Sequence, residues 1–244
     1  MRIGILTLPL HTNYGGILQA YALQTVLKRM GHDATLIDRP FDKLTIIGYI
    51  KLYIYKALTF IPFQKRFVKF WSVPPNITKA VRKETDYFID KYLDLTEKFY
   101  SNNIKEIHKH NFEAYVVGSD QVWRRAYCPS LSDFYLGFAK NDNVKKVAYA
   151  ASFGIDYWDY TDKETELCSS LLKNFDAVSV RESSAIGLCK SQLGCSAIHV
   201  LDPTLLLSAS DYEYLAKQEQ EPKSEGNLFC YILDKDSKKQ SLIN

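Results

Sequence analysis

The chain has 244 residues, 46% of them apolar and 24% charged, and its 31 basic and 28 acidic residues leave a net charge of +3. That is enough apolar material for one large domain or two small ones with a packed core. Composition this close to the globular average excludes a disordered, collagen-like or coiled-coil chain, so function has to be read from local motifs.

Residues Arg2 to Leu8 are apolar and β-rich. One basic residue and a short apolar stretch without a small-residue cleavage site read as a first strand rather than a signal peptide. A turn-prone His11-Thr12-Asn13-Tyr14-Gly15-Gly16 follows, and Ile17 to Met30 then places Leu18, Tyr21, Ala22 and Val26 at helical spacing. Gly31 is the helix stop, and Ala34 to Asp38 reads as the second strand. Further strand candidates are Ala114 to Val117, Lys146 to Ala151, Ala177 to Val180 and Ala197 to Leu201, with helical patterns over Lys163 to Asn174 and Glu182 to Leu193 between the last three. Strands alternating with helices predict an α/β fold: a Rossmann-like, mainly parallel sheet with helices on both faces, because parallel strands need crossover connections.

Two stretches fall outside this alternation. Residues 43–83 carry nine basic side chains and no acidic one, interleaved with aromatic and aliphatic residues. One reading is a helix pair whose Lys and Arg stems cover apolar surface. The other is a surface that meets anionic lipid headgroups or a phosphate-bearing acceptor, a peripheral membrane contact. The small net charge and the lack of a recognition module argue against nucleic acid. The longest uncharged apolar runs, 44–50 and 57–64, fall short of the roughly 18 residues of a membrane span. The second stretch begins at Asp202-Pro203, where the pattern breaks. The expected organisation is a first domain over 1–215, a polar linker over 216–227, and the start of a further α/β domain over 228–244, opened by the apolar strand Leu228 to Leu233. Such a strand is expected to add to the edge of the first sheet or to pair with a second copy of the chain, making a homodimer.

Five cysteines without a CxxC pair point to reduced thiols in a cytoplasmic protein. His108 and His110, two apart in a helical stretch, face different ways and make a poor metal pair. No metal site is expected.

Four motifs fall at strand ends. The loop with Asn13, Gly15 and Gly16, followed by Gln19, opens a helix whose N-terminus could receive a phosphate or a sugar hydroxyl; the alternative is a tight turn with Gln19 on the helix surface. Gly118-Ser119-Asp120-Gln121-Val122-Trp123 follows a strand, where open α/β sheets bind ligands. There Asp120 is a general base or sugar-hydroxyl ligand, or else a helix N-cap. Tyr149-Ala150-Ala151-Ser152-Phe153-Gly154 ends a strand in small residues that let a ligand approach the backbone. Ser179-Val180-Arg181-Glu182 offers Arg181 to a carboxylate or phosphate, or pairs it with Glu182.

In order and spacing over residues 1–207, these blocks, with Gln19-Ala20-Tyr21-Ala22-Leu23 and Asp202-Pro203-Thr204, resemble the polysaccharide pyruvyl transferase family. The resemblance implies the N-terminal half of a two-domain fold like that of GT-B glycosyltransferases. It implies an acceptor saccharide, free or lipid-linked, held largely by the N-terminal domain, and phosphoenolpyruvate as donor held largely by the C-terminal one. No metal or organic cofactor is implied. Carried onto this sequence, the cleft is lined by Asn13, Gly15, Gly16, Gln19, Ser119, Asp120, Gln121, Ser152 and Arg181, with Asp120 as base and Arg181 as anion ligand. Members of the family continue well beyond the equivalent of Leu233 with a late Ser-Phe-His-Gly-like segment, so this chain is expected to lack its second half and to need complementation for turnover. Two alternatives stay open: a nucleotide-sugar glycosyltransferase of the same shape, and an acceptor-binding domain without turnover.

Overall fold

The computed structural model describes residues 1–42 and 75–218. Six strands, β1 (Arg2–Leu6), β2 (Asp33–Leu36), β3 (Ala114–Gly118), β4 (Lys145–Ala151), β5 (Ala177–Val180) and β6 (Ile198–His199), form one sheet in the order β2-β1-β3-β4-β5-β6. Every pairing is parallel. This is the α/β, Rossmann-like arrangement that the alternating pattern predicts.

The central strand β3 is buried along its whole length, as a parallel strand covered on both faces must be. Side-chain alternation sends its residues to two cores. Ala114 and Val116 join Ile3 and Ile5 of β1 against Ile17, Ala20 and Leu23 of α1 (Tyr14–Arg29), Ile89 of α2 (Pro75–Tyr92) and Leu93 just after it. Tyr115 and Val117 turn the other way and pack with Trp123, Phe134 of the short α3 (Leu131–Phe134), and Leu171 and Leu172 of α4 (Asp162–Leu172). The same core takes in Cys189 of α5 (Ser183–Gln192). Gly118 lets α1 come close: a Cβ there would lie 2.3 Å from Leu23 Cδ2.

Helix boundaries follow local chemistry. The first helix starts three residues before the apolar spacing suggests, because Asn13 caps it by accepting a hydrogen bond from Gly16 N. Thr161 and Glu164 make a capping box at the start of α4. At the end of β2, the fully buried Arg39 donates to Asp133 Oδ2 at 2.8 Å and to Ser101 Oγ at 2.8 Å, which pins the loop there to α3.

Several elements differ from the sequence reading. β6 is two residues long where five were expected, its side chains exposed at the sheet edge. The end of the basic stretch opens α2; residues 43–74 lie outside the described residues. The chain forms two compact units, Met1–Leu207 and Ser208–Asn244. In the second unit, α6 (Ala209–Gln218) occupies the first residues of the expected linker, and Leu228 to Leu233 lies outside the described residues. Among the described residues no helix is long and apolar enough to cross a membrane.

Trp123 is the largest fully buried side chain among the described residues. Its ring stacks on Tyr135 at 5.0 Å and its Nε1 donates to Phe134 O at 3.1 Å. Trp123→Ala should cost about 3–5 kcal/mol in denaturant unfolding, while Tyr157→Ala on the surface should stay within about 0.5 kcal/mol. Burial pushes the Cys128, Cys168 and Cys189 thiols up to about 12. A thiol-reactive aromatic disulfide at pH 8 should therefore leave these three unmodified in the native protein and titrate them only after denaturation.

Candidate functional site

In a parallel sheet every strand points the same way, so all loops that follow strands gather on one edge. The strand order reverses between β1 and β3, and the loops after these two strands carry Asn13 and Asp120. Asn13 Nδ2 lies 3.4 Å from Asp120 Oδ2. The backbone of Asp120 is left-handed, with φ 63°, a conformation that Asp tolerates better than most residues and that recurs at functional sites. Its Oδ1 accepts from Gln121 N at 2.9 Å. A turn follows rather than a helix, so Asp120 caps nothing.

The left-handed Asp120 is held by its neighbours. Its carbonyl accepts from Ser152 N at 3.1 Å, and Ser152 Oγ donates to Glu182 Oε1 at 2.7 Å. Arg181 Nε donates to the same Glu182 oxygen at 3.1 Å, and its Nη1 donates to Asp202 Oδ2 at 3.1 Å. Ser119 Oγ closes the circuit on Asp202 Oδ2 at 2.9 Å. Ser119 is joined to Asp120 by a peptide bond, so the hydrogen bonds form a closed ring across the ends of β3, β4, β5 and the segment after β6.

Strand β4 enters this ring through a bulge. Its register to β5 shifts between Ala148 and Ala151, and Ala150 is left-handed with φ 50°. The hydroxyl of Ser179 fills the interrupted ladder, accepting from Ala150 N and donating to Ala148 O, both at 3.0 Å. Bulges of this kind re-aim a strand end, here placing Ser152 against Asp120.

The expected site residues fall into three groups. Ser119, Asp120, Ser152 and Arg181 are members of the ring. Asn13 and Gly16 abut it: a Cβ on Gly16 would lie 3.2 Å from Asp120 Oδ2, whereas Gly15 has room for one. Neither glycine has positive φ, so close approach and not a tight turn accounts for Gly16. Gln19 is buried under the ring, not on the helix surface; its Nε2 donates to Thr7 Oγ1 and Gly16 O, both at 2.8 Å. Gln121 fills the space beside Gly154, whose missing Cβ would lie 2.1 Å from Gln121 Oε1, so at that glycine the close approach is made by a side chain of the protein itself. His108 and His110 diverge, to Asp142 and Glu97 respectively.

Asp202 and Glu182 stood in the motifs without a site role, yet they are the ring's acceptors. Burial pushes the Asp202 carboxyl up, but hydrogen bonds from Thr204 N, Thr204 Oγ1, Ser119 Oγ and Arg181 outweigh it and hold the group below the usual range. The signal in sequence was the pair of acids within about twenty residues of Arg181; which oxygen meets which nitrogen was not readable.

An all-parallel sheet with helices around it and a polar hydrogen-bonded ring at its carboxyl edge is an α/β, Rossmann-like arrangement. The family model of polysaccharide pyruvyl transferases matches residues 13–243, nearly the whole chain, and the chain belongs to that family. No curated protein matches it.

A carboxyl held low contributes stability above its unfolded pKa of about 3.9 and loses it as pH falls through the lower folded value. Asp202→Asn should lower stability at pH 7 by about 1–3 kcal/mol. The gap to the wild type should close as pH falls towards 3, which melting curves at pH 7, 5 and 3 would show.

Proposed function

We propose that the protein moves the pyruvyl group of phosphoenolpyruvate onto two hydroxyls of a cell-surface polysaccharide precursor, a cytoplasmic step, with Asp120 as the base. The observation that supports this best is the closed ring, which holds one carboxylate in a strained backbone conformation at the switch point of the sheet. Family membership supports the reaction class.

The step balances without a cofactor. Both acceptor oxygens bond to C2 of phosphoenolpyruvate, and the bond from C2 to the phosphate oxygen breaks. The methylene carbon takes one proton, and the second hydroxyl proton leaves with phosphate. Asp120 receives a hydroxyl proton on the way, its Oδ2 being the oxygen turned towards α1.

In this reading Arg181 positions rather than binds. Its strand-end place suggested an anion ligand, but its donors go to Glu182 and Asp202, and with Asp120 the ring carries three carboxylates to one guanidinium. A phosphate-bearing donor gains little there. The ring therefore suits the acceptor, with phosphoenolpyruvate drawn by cations elsewhere.

The test is phosphate release from phosphoenolpyruvate with a panel of free, nucleotide-linked and lipid-linked sugars. Release should require an acceptor, and Asp120→Asn should lower the rate by about 10²–10⁴-fold. An unaltered rate in that variant would remove Asp120 as base. Stabilisation by uridine or guanosine diphosphate sugars but not by phosphoenolpyruvate would replace the reading with a glycosyltransferase.

A further inference from the structure

Beyond His11, which lies two residues before Asn13, a cleft of about 680 Å³ opens between the loop after β1, the end of β2, one face of α2 and the segment 95–98. That volume falls within the range of ligand pockets, about 300–1,000 Å³. None of the ring residues lines it. Its apolar side includes Ile89 and Leu95, and its polar side holds His11, Asp38, Arg82, Asp86, Asp90 and Lys98.

The charges decide what fits. Arg82 is committed to Asp86, with Nε at 3.1 Å and Nη2 at 2.8 Å from Oδ1. Burial and the Arg82 charge both push the His11 imidazole down, against the pull of Asp120, so at neutral pH it adds no charge. That leaves Asp38 and Asp90 facing Lys98. Asp38 stands out. Its backbone is held by a hydrogen bond from its N–H to Thr96 Oγ1 at 3.1 Å and its loop by the buried Arg39, but its half-buried carboxylate accepts no hydrogen bond among the described residues. Burial pushes this carboxyl up, against Lys98 and Arg82. A rigid, partly desolvated acceptor without a donor is matched by a ligand rich in O–H groups. An anionic ligand would meet three carboxylates against two cations.

We propose that this cleft seats the acceptor's sugar ring, an uncharged pyranose whose hydroxyls donate to Asp38 and Asp90 while its C–H face packs on Ile89 and Leu95. His11 lines the cleft two residues before Asn13, whose Nδ2 lies 3.4 Å from Asp120 Oδ2. The inference rests on the pyruvyl transferase reading only for the word acceptor.

Saturation-transfer NMR on the full chain with the methyl glycosides of galactose, glucose and mannose tests it, with inorganic phosphate as competitor. At least one glycoside should bind and should resist millimolar phosphate. Asp38→Asn should weaken it about tenfold, the scale of one hydrogen bond to a charged group. Asp90→Ala, at an exposed helix position where folding is not at stake, should weaken it severalfold. No binding by any glycoside, binding indifferent to both variants, or displacement by phosphate would each overturn the subsite. Glycoside binding that depends on Asp38, without phosphate release from phosphoenolpyruvate, would remove the donor reading and leave the subsite standing. Turnover with an unchanged acceptor KM in both variants would do the reverse.

Discussion

The carboxylate of Asp202 is the joint on which the carboxyl edge of the sheet depends. One of its oxygens receives Ser119 from just after β3 and Arg181 from just after β5, and the other receives Thr204 from the turn that follows β6. Three chain segments far apart in sequence are thereby held to a single group. Breaking one partner of such a pair costs more than the pair contributes, because the remaining charge is left without its counterion. The ring therefore behaves as a unit, and Asp120 inherits its rigidity.

Rigidity at that point has a chemical use. A residue with left-handed backbone persists only where its surroundings over-determine it, and here the ring, the bulge at Ala150 and the cap at Asn13 do so together. In the proposed role of Asp120, a carboxylate fixed before substrate arrives needs no reorganisation as a proton moves. In the proposed reaction, the excess of carboxylates over cations in the ring and in the cleft favours hydroxyl-bearing over phosphate-bearing ligands, which would separate acceptor from donor by electrostatics.

The family and its fold were legible from residues alone because the blocks that carry them are local. A strand followed by Gly118-Ser119-Asp120, or by Asn13-Tyr14-Gly15-Gly16, announces both its structure and its place on the sheet. The cleft on α2 was not legible. Arg82, Asp86 and Asp90 recur every four residues and so share one helical face, but inside a basic stretch that spacing looks like ordinary solvated surface. Only the packing of α2 against β1 and β2 turns that face towards Asp38 and His11.

By itself, then, the sequence determined the order of strands and helices, their parallel pairing, and the residue types at each strand end, because apolar periodicity and turn chemistry act over a few residues. Tertiary structure decided what those residues do. It drew Gln19 under the ring, filled the space at Gly154 with Gln121, and bound Arg181 between two acids. Burial and hydrogen-bond geometry are properties of distant segments brought within 3 Å, and no local pattern encodes which oxygen a guanidinium will find.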